Sequence, residues 1–243
     1  MFYSFLGGNF LMDSVIIPIH KDEKVLRKTL HPLKSFQGEI IFVLDKPTKK
    51  SKKIVEKFAN QHPNSTLISK GNLPFEVENI AWKSFIYGAL HAKGDRIYFL
   101  GADMVCNKRM FSKDLKLPCQ FEYIDADNHL YYAYFKFLSK FSKHYFIGCF
   151  PKGFAFHNYP WISEEKLYPL EFIEHCAKAL NFEKYNFPMM HLRKTKNNLR
   201  HYIQGIIRYR LKFKFYRVLL HSILFFNPYV LLGYLHEKFS RNK

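Results

Sequence analysis

Apolar positions in the first hundred residues follow two alternating rhythms. Val15 to Ile19 and Ile40 to Leu44 are short, continuous, β-branched runs of the kind that form strands buried on both faces; Arg96 to Leu100 is another such strand, and Thr66 to Ser69 a shorter one. Between them the apolar residues recur at helical spacing: Val25, Leu26, Thr29, Leu30 and Leu33, then Ile54, Val55, Phe58 and Ala59, then Ala81, Phe85, Gly88, Ala89 and Ala92. Strands alternating with amphipathic helices from Ser14 to Asp103 predict an α/β fold, with a mostly parallel central sheet flanked by helices.

The pattern changes after Asp114. The segment FEYIDADNHLYYAYFKF alternates aromatic and polar residues and predicts two strands joined by a turn at Asp125 to Asn128, an antiparallel addition to the sheet. The literal Asp-x-Asp within it is read as a hairpin tip rather than a metal site, because Asp and Asn favour turns. GCFPKGFAFHNYPW reads as an aromatic loop suited to lining a cleft, and a helix is expected from about Lys166 to Leu180.

In open parallel sheets, ligands bind beyond the carboxyl ends of the strands. Here those ends carry Pro18-Ile19-His20, Leu44-Asp45 and Gly101-Ala102-Asp103, so polar groups from three strands are expected to share one rim. By turn chemistry alone, Asp45 could equally form an Asx-turn before Pro47, and Asp103 could cap the next turn or helix.

The segments SVIIPIHKDEKVLRKTL, IIFVLDKPTKKSKKIVEKF and AWKSFIYGALHAKGDRIYFLGADM together resemble the family 2 glycosyltransferases of the GT-A fold, and are similar to dolichyl-phosphate sugar transferases and rhamnosyltransferases. The resemblance covers roughly residues 14 to 105. It implies a catalytic domain over 1–190, with a nucleotide-binding half at about 14–105 and an acceptor half at about 106–190. It also implies a donor pocket formed by Pro18, His20, Asp45, Lys83, Ala102 and Asp103, and a Mg²⁺ or Mn²⁺ ion held by Asp103, with His191 as a late ligand. The general base would lie in WISEEKLYPLEFIEH, with Glu165 first, then Glu164 and Glu171; acids at the start of a helix are also simply favoured by its dipole. The chain departs from the family pattern twice: Leu44-Asp45-Lys46-Pro47 stands for Asp-Asp-Gly-Ser, and Gly101-Ala102-Asp103 for Asp-x-Asp, leaving one acid in each place.

Charge adds a partner. The formal net charge is +18, and from His191 onward twelve Lys and Arg residues face a single acid, Glu237. The basic segment, 191–243, becomes nearly all apolar from Val218 to Leu235, broken by His221 and Asn227-Pro228. That run is short for a membrane-spanning helix, which needs about 20 apolar residues. Two readings stand: a bent helical hairpin lying on an anionic membrane surface, or helices packed on the catalytic domain. Nucleic acid is not the expected partner, since no RNA-binding or helix-turn-helix signature accompanies the charge.

The four cysteines, Cys106, Cys119, Cys149 and Cys176, form no CxxC pair, which suggests neither a zinc site nor a disulfide scaffold. The N-terminus lacks a basic region ahead of its apolar stretch, so no cleaved signal peptide is expected.

The resulting expectation is a transferase that moves a sugar from a UDP- or GDP-linked donor to a lipid-linked or glycan acceptor. It would be cytoplasmic and peripheral on the cytoplasmic face of the cell membrane. Two other readings are an inactive GT-A-like protein that binds nucleotide sugars and, further off, a basic nucleic-acid-binding protein. The oligomeric state is left open.

Overall fold

The computed structural model describes residues 12–21, 23–72, 80–125, 145–152, 182–192, 198–210, 212–224 and 227–240. Its contacts divide the chain into two units, Met1–Arg193 and Lys194–Lys243.

In the first unit the strands are β1 (Asp13–Ile19), β2 (Glu39–Leu44), β3 (Ser65–Ser69), β4 (Arg96–Phe99), β5 (Met104–Val105), β6 (Cys119–Asp125), β7 (Tyr145–Pro151) and β8 (Glu183–His191). Helices α1 (Leu26–Leu30), α2 (Lys49–Ala59) and α3 (Ile80–His91) connect the first four, with a 3₁₀ turn at Pro32–Ser35. The strands form one sheet in the order β3-β2-β1-β4-β7-β6-β8-β5. β3, β2, β1 and β4 are mutually parallel, β7 is antiparallel to both β4 and β6, β8 runs parallel to β6, and β5 antiparallel to β8.

Burial explains the continuous apolar runs. Val15, Ile17 and Ile19 of β1 pack with Leu26, Leu30, Val55 and Phe58 on the face covered by α1 and α2. Ile16 packs with Ile41, Val43, Ile86 and Ala89 on the α3 face. A strand buried on both faces has no reason to alternate with polar residues. Gly88 sets the closeness of α3: a Cβ there would run into Ile16 Cγ2 and stand 2.9 Å from Val43 Cγ2. Pro18 is tolerated in β1 because β1 pairs with β4 only over Asp13 to Ile16, and beyond that has β2 alone as a neighbour.

The amino ends of these strands are tied by buried polar groups. Arg96 donates from Nε to Asp13 Oδ1 at 2.5 Å and from its terminal amine to Oδ2 at 2.8 Å, and also reaches the Ser112 carbonyl. Ser14 Oγ donates to Glu39 Oε2 at 2.6 Å, while the Lys93 and Gly94 amides donate to Glu39 and Ser14.

Three features depart from the pattern reading. Gly148 to Pro151, expected within a loop, is the end of β7, where Cys149 and Phe150 are buried against β4. Strands β5 and β8 have no counterpart among the predicted elements. β8 carries Asn186 and Pro188, which argue against a strand, but the β6–β8 register shifts between Phe121↔Tyr185 and Tyr123↔Met189, so Pro188 sits in a bulge where its missing N–H is tolerated. The expected turn after Asp125 and the helix near 166–180 lie outside the described residues.

Among the described residues, the second unit holds three helices, α4 (Asn198–Arg210), α5 (Phe215–Leu224) and α6 (Pro228–Ser240). Pro228 opens α6, where a missing N–H costs nothing. α4 and α6 meet backbone to backbone at two glycines: a Cβ on Gly205 would strike the Val230 carbonyl, and one on Gly233 the Tyr202 carbonyl. Val218, Val230 and Tyr234 form this unit's small core, Tyr234 donates to the Phe213 carbonyl at 2.8 Å, and Arg210 pairs with Glu237 at 2.9 Å. Among the described residues, no helix is long and apolar enough to cross a membrane.

Candidate active site

Because β1, β2 and β4 are adjacent and parallel, their carboxyl ends fall on the same edge of the sheet, and each leads into a polar residue there: His20, Asp45 and Asp103. The edge includes the point between β1 and β4 where the winding reverses, the place such sheets use for ligands.

The first cluster surrounds Asp45. Its Oδ2 accepts from Lys70 Nζ at 2.7 Å and from Ser84 Oγ at 3.1 Å, so β3 and α3 both reach the end of β2. The carboxylate therefore does not serve the Asx-turn that local sequence allowed. Burial pushes the Asp45 carboxyl up, but the hydrogen bond and charge of Lys70, with help from Ser84 and His20, outweigh it and hold the group below its ordinary value. His20 Nδ1 lies 2.7 Å from the Asp45 carbonyl oxygen. A carbonyl only accepts, so Nδ1 carries the proton and the ring's orientation is fixed by the loop it touches.

Lys46, next in the chain, has φ of 50°. This is the left-handed conformation that glycine adopts most readily, and Lys46 stands where the resembled Asp-Asp-Gly-Ser pattern has its glycine. Thr48 then caps α2 by accepting from the Ser51 amide at 3.1 Å, and the Thr48 and Ser51 hydroxyls both donate to Glu23 Oε2 at 3.0 Å. These bonds, with its own backbone contact as the first cause, hold the Glu23 carboxyl below its ordinary value.

The second cluster surrounds Asp103. It sits in the turn between β4 and β5, with the Met104 amide bonded to the Gly101 carbonyl at 3.0 Å. The buried Thr29 hydroxyl of α1 donates to the Ala102 carbonyl at 2.9 Å and pins that turn from below. His191, the last residue of β8, brings Nε2 to 3.2 Å from Asp103 Oδ2 across 88 residues of sequence. Two backbone features set this contact: Met104 pairs with His191 between β5 and β8, and the Leu192 amide donates to the Asp103 carbonyl at 2.7 Å. Side-chain exposures of 8% for His191 and 14% for Asp103 leave both partly shielded from water. Asp125, at the end of β6, stands opposite His191 in the parallel register, so the first acid of the literal Asp-x-Asp belongs to a strand end beside this cluster.

Pro18 and Lys83 lie on β1 and α3 with partly buried side chains, and Ala102 is buried. Glu164, Glu165 and Glu171 are outside the described residues. Lys70 and Ser84 were missed from sequence; the signal available was a lysine just past β3 and a serine on the sheet-facing side of α3, neither of which advertises a partner at the end of β2.

Among the described residues, the three thiols Cys106, Cys119 and Cys149 are buried. Burial pushes the Cys106 and Cys119 thiols up to about 12 and Cys149 well above its ordinary value, which favours the protonated form of all three at neutral pH.

A family model described as glycosyl transferase family 2 matches residues 14–153. No curated protein matches the chain. Among solved structures, a mycobacterial protein matches at a TM-score of 0.51 and 11% identity, over 82% of this chain and 74% of that one. S. aureus TarS 1–349 matches at 0.47 and 17% identity, over 95% of this chain and 72% of that one. Glucosyl-3-phosphoglycerate synthase from Mycobacterium tuberculosis, in complex with Mn²⁺ and UDP-glucose, matches at 0.49 and 11% identity, over 80% and 77%. At such identities likeness speaks to fold alone, whereas the family match spans more than half of the sequence and takes in both β2 with Asp45 and the turn with Asp103. The chain belongs to glycosyl transferase family 2.

Proposed function

We propose that the carboxyl edge of the sheet binds a UDP- or GDP-linked sugar, and that the protein transfers the sugar to a lipid-linked or glycan acceptor. The observation that carries this reading is the meeting of Asp103 and His191. A carboxylate oxygen and an imidazole nitrogen converging from distant parts of the chain form a donor pair suited to a divalent cation, and the imidazole favours Mn²⁺ over the more strictly oxygen-seeking Mg²⁺. Asp103 and His191 are the residues that would hold such an ion. When bound, it supplies Lewis-acid stabilisation of the diphosphate leaving group.

The remaining work falls to side chains at the same edge. Asp45, ionised and tethered through Oδ2 to Lys70 and Ser84, can only accept hydrogen bonds. It therefore suits a base edge that presents N–H groups, as uracil and guanine do. His20, its ring fixed through Nδ1, closes the neighbouring wall. Deprotonation of the acceptor hydroxyl is assigned to Glu165, with Glu164 and Glu171 as the alternatives, in keeping with the family resemblance.

Calorimetric titration of UDP- and GDP-sugars into the full chain, with Mn²⁺ and with chelator, tests the reading. Binding should depend on the metal, and Asp103→Asn should weaken metal-supported binding at least about tenfold, the scale of one lost charge-assisted contact. Equal affinity with Mn²⁺ and with chelator, in the wild type and in the variant, would remove the case for this site.

A further inference from the structure

We propose that the outward faces of α5 and α6 form a docking surface for an anionic lipid bilayer; this goes beyond the donor-site reading and stands without it. In α5 the buried residues Val218 and Ser222 mark the inner side of the helix. Tyr216, Leu220 and Ile223 recur on the opposite side with exposures of 56%, 54% and 61%. In α6 the inner side is Val230, Gly233, Tyr234 and Glu237, while Tyr229, Leu232 and Phe239 are exposed. A helix packed in a water-soluble unit normally turns polar residues outward. Here both helices turn large apolar ones outward. Of the exposed large hydrophobics among the described residues, only Met12 and Leu90 lie outside 213–239.

The charge around these residues identifies the occupant. Lys212, Lys214 and Arg217 are exposed at the start of α5. Lys238 Nζ sits over the rings of Phe215 and Phe239, and the Arg217 guanidinium over Tyr216, so cations and apolar side chains share one surface. Residues 194–243 contain a single acid, Glu237, which is turned inward and paired with Arg210. A second copy of this unit would be repelled by the same excess of positive charge. RNA would neutralise the cations but offer nothing to Leu220, Ile223 or Leu232. Anionic head groups above acyl chains satisfy both kinds of side chain at one depth.

The test is co-sedimentation of the full chain with vesicles of phosphatidylcholine alone or with added phosphatidylglycerol, at low and high salt. Binding to the anionic vesicles should exceed binding to the neutral ones by at least about tenfold and fall with salt. Leu220→Glu with Ile223→Glu should abolish it, and so should reversal of Lys212, Lys214 and Arg217 to Glu. These positions are exposed, so circular dichroism should show unchanged helicity. The proposal is overturned if the wild type stays in the supernatant with anionic vesicles, if both variants bind as well as it does, if RNA is bound in preference to vesicles, or if the apolar variant converts a dimer into a monomer. Nucleotide titration of the same variants keeps the two readings apart: lost vesicle binding with intact nucleotide binding concerns this surface alone, and the converse concerns the donor site alone.

Discussion

Gly88 provides a test that links the packing of the sheet to the edge proposed to bind the donor. In an open helix, replacing glycine by alanine stabilises by about 1 kcal/mol, because alanine loses less backbone freedom on folding. At this position the added Cβ would meet Ile16 Cγ2 closer than carbon atoms approach and lie 2.9 Å from Val43 Cγ2. Both neighbours are buried in the sheet and cannot swing away. The helix must retreat, at an overpacking cost of about 1–3 kcal/mol that cancels or reverses the gain. Gly88→Ala should thus leave the protein no more stable than the wild type, and up to about 2 kcal/mol less stable. The retreat also moves Ser84, one turn earlier on α3, whose bond to Asp45 is already 3.1 Å long. Nucleotide affinity should fall with stability.

Urea denaturation followed by circular dichroism measures the first effect and calorimetry the second. Ile16→Ala supplies a control. Alone it costs about 2–5 kcal/mol as a cavity. Combined with Gly88→Ala, it should cost less than the two separate effects added together, since the new methyl group occupies space that Ile16 vacates. A stabilisation of about 1 kcal/mol for Gly88→Ala, or a double variant additive to within about 0.5 kcal/mol, would refute the reasoning.

Two further expectations concern charged groups. Asp45 is held below its ordinary pKa, so its contribution is present above the usual carboxylate range and lost as pH falls through the depressed value. Lys70→Met removes the dominant opposing influence and leaves burial to raise the carboxyl. The acid limb of nucleotide binding should move to higher pH, and an unmoved pH profile would contradict the assignment. Arg96→Met strands Asp13 beside a buried site, with side-chain exposures of 4% for the arginine and 14% for the aspartate, and should cost about 3–5 kcal/mol in urea denaturation. A loss under about 1 kcal/mol would place this pair among ordinary surface ion pairs.

The parallel half of the fold was legible because local and tertiary demands agree there. The runs at Val15, Ile40 and Ile97 are apolar on both faces because helices cover both faces, and the intervening helices show their buried stripe. Legibility faded where an element depends on distant partners. β5 is two residues long and exists through its pairing with β8, and β8 hides its identity behind Asn186 and Pro188 in a bulge. At the rim, strand-end position singled out His20, Asp45 and Asp103, since a polar residue after a buried strand is visible in one dimension. Lys70 and Ser84 were not legible, because their meaning comes from where β3 and α3 end relative to Asp45.

The ion pair of Asp13 with Arg96, and the hydrogen bond from Ser14 to Glu39, lie at the starts of β1, β2 and β4, away from the rim proposed to bind the donor. Anchorage and the proposed recognition site thus occupy opposite ends of the same strands. His20, Asp45 and Asp103 make none of those anchoring bonds, so exchanging them should leave the amino-end ties of the sheet in place.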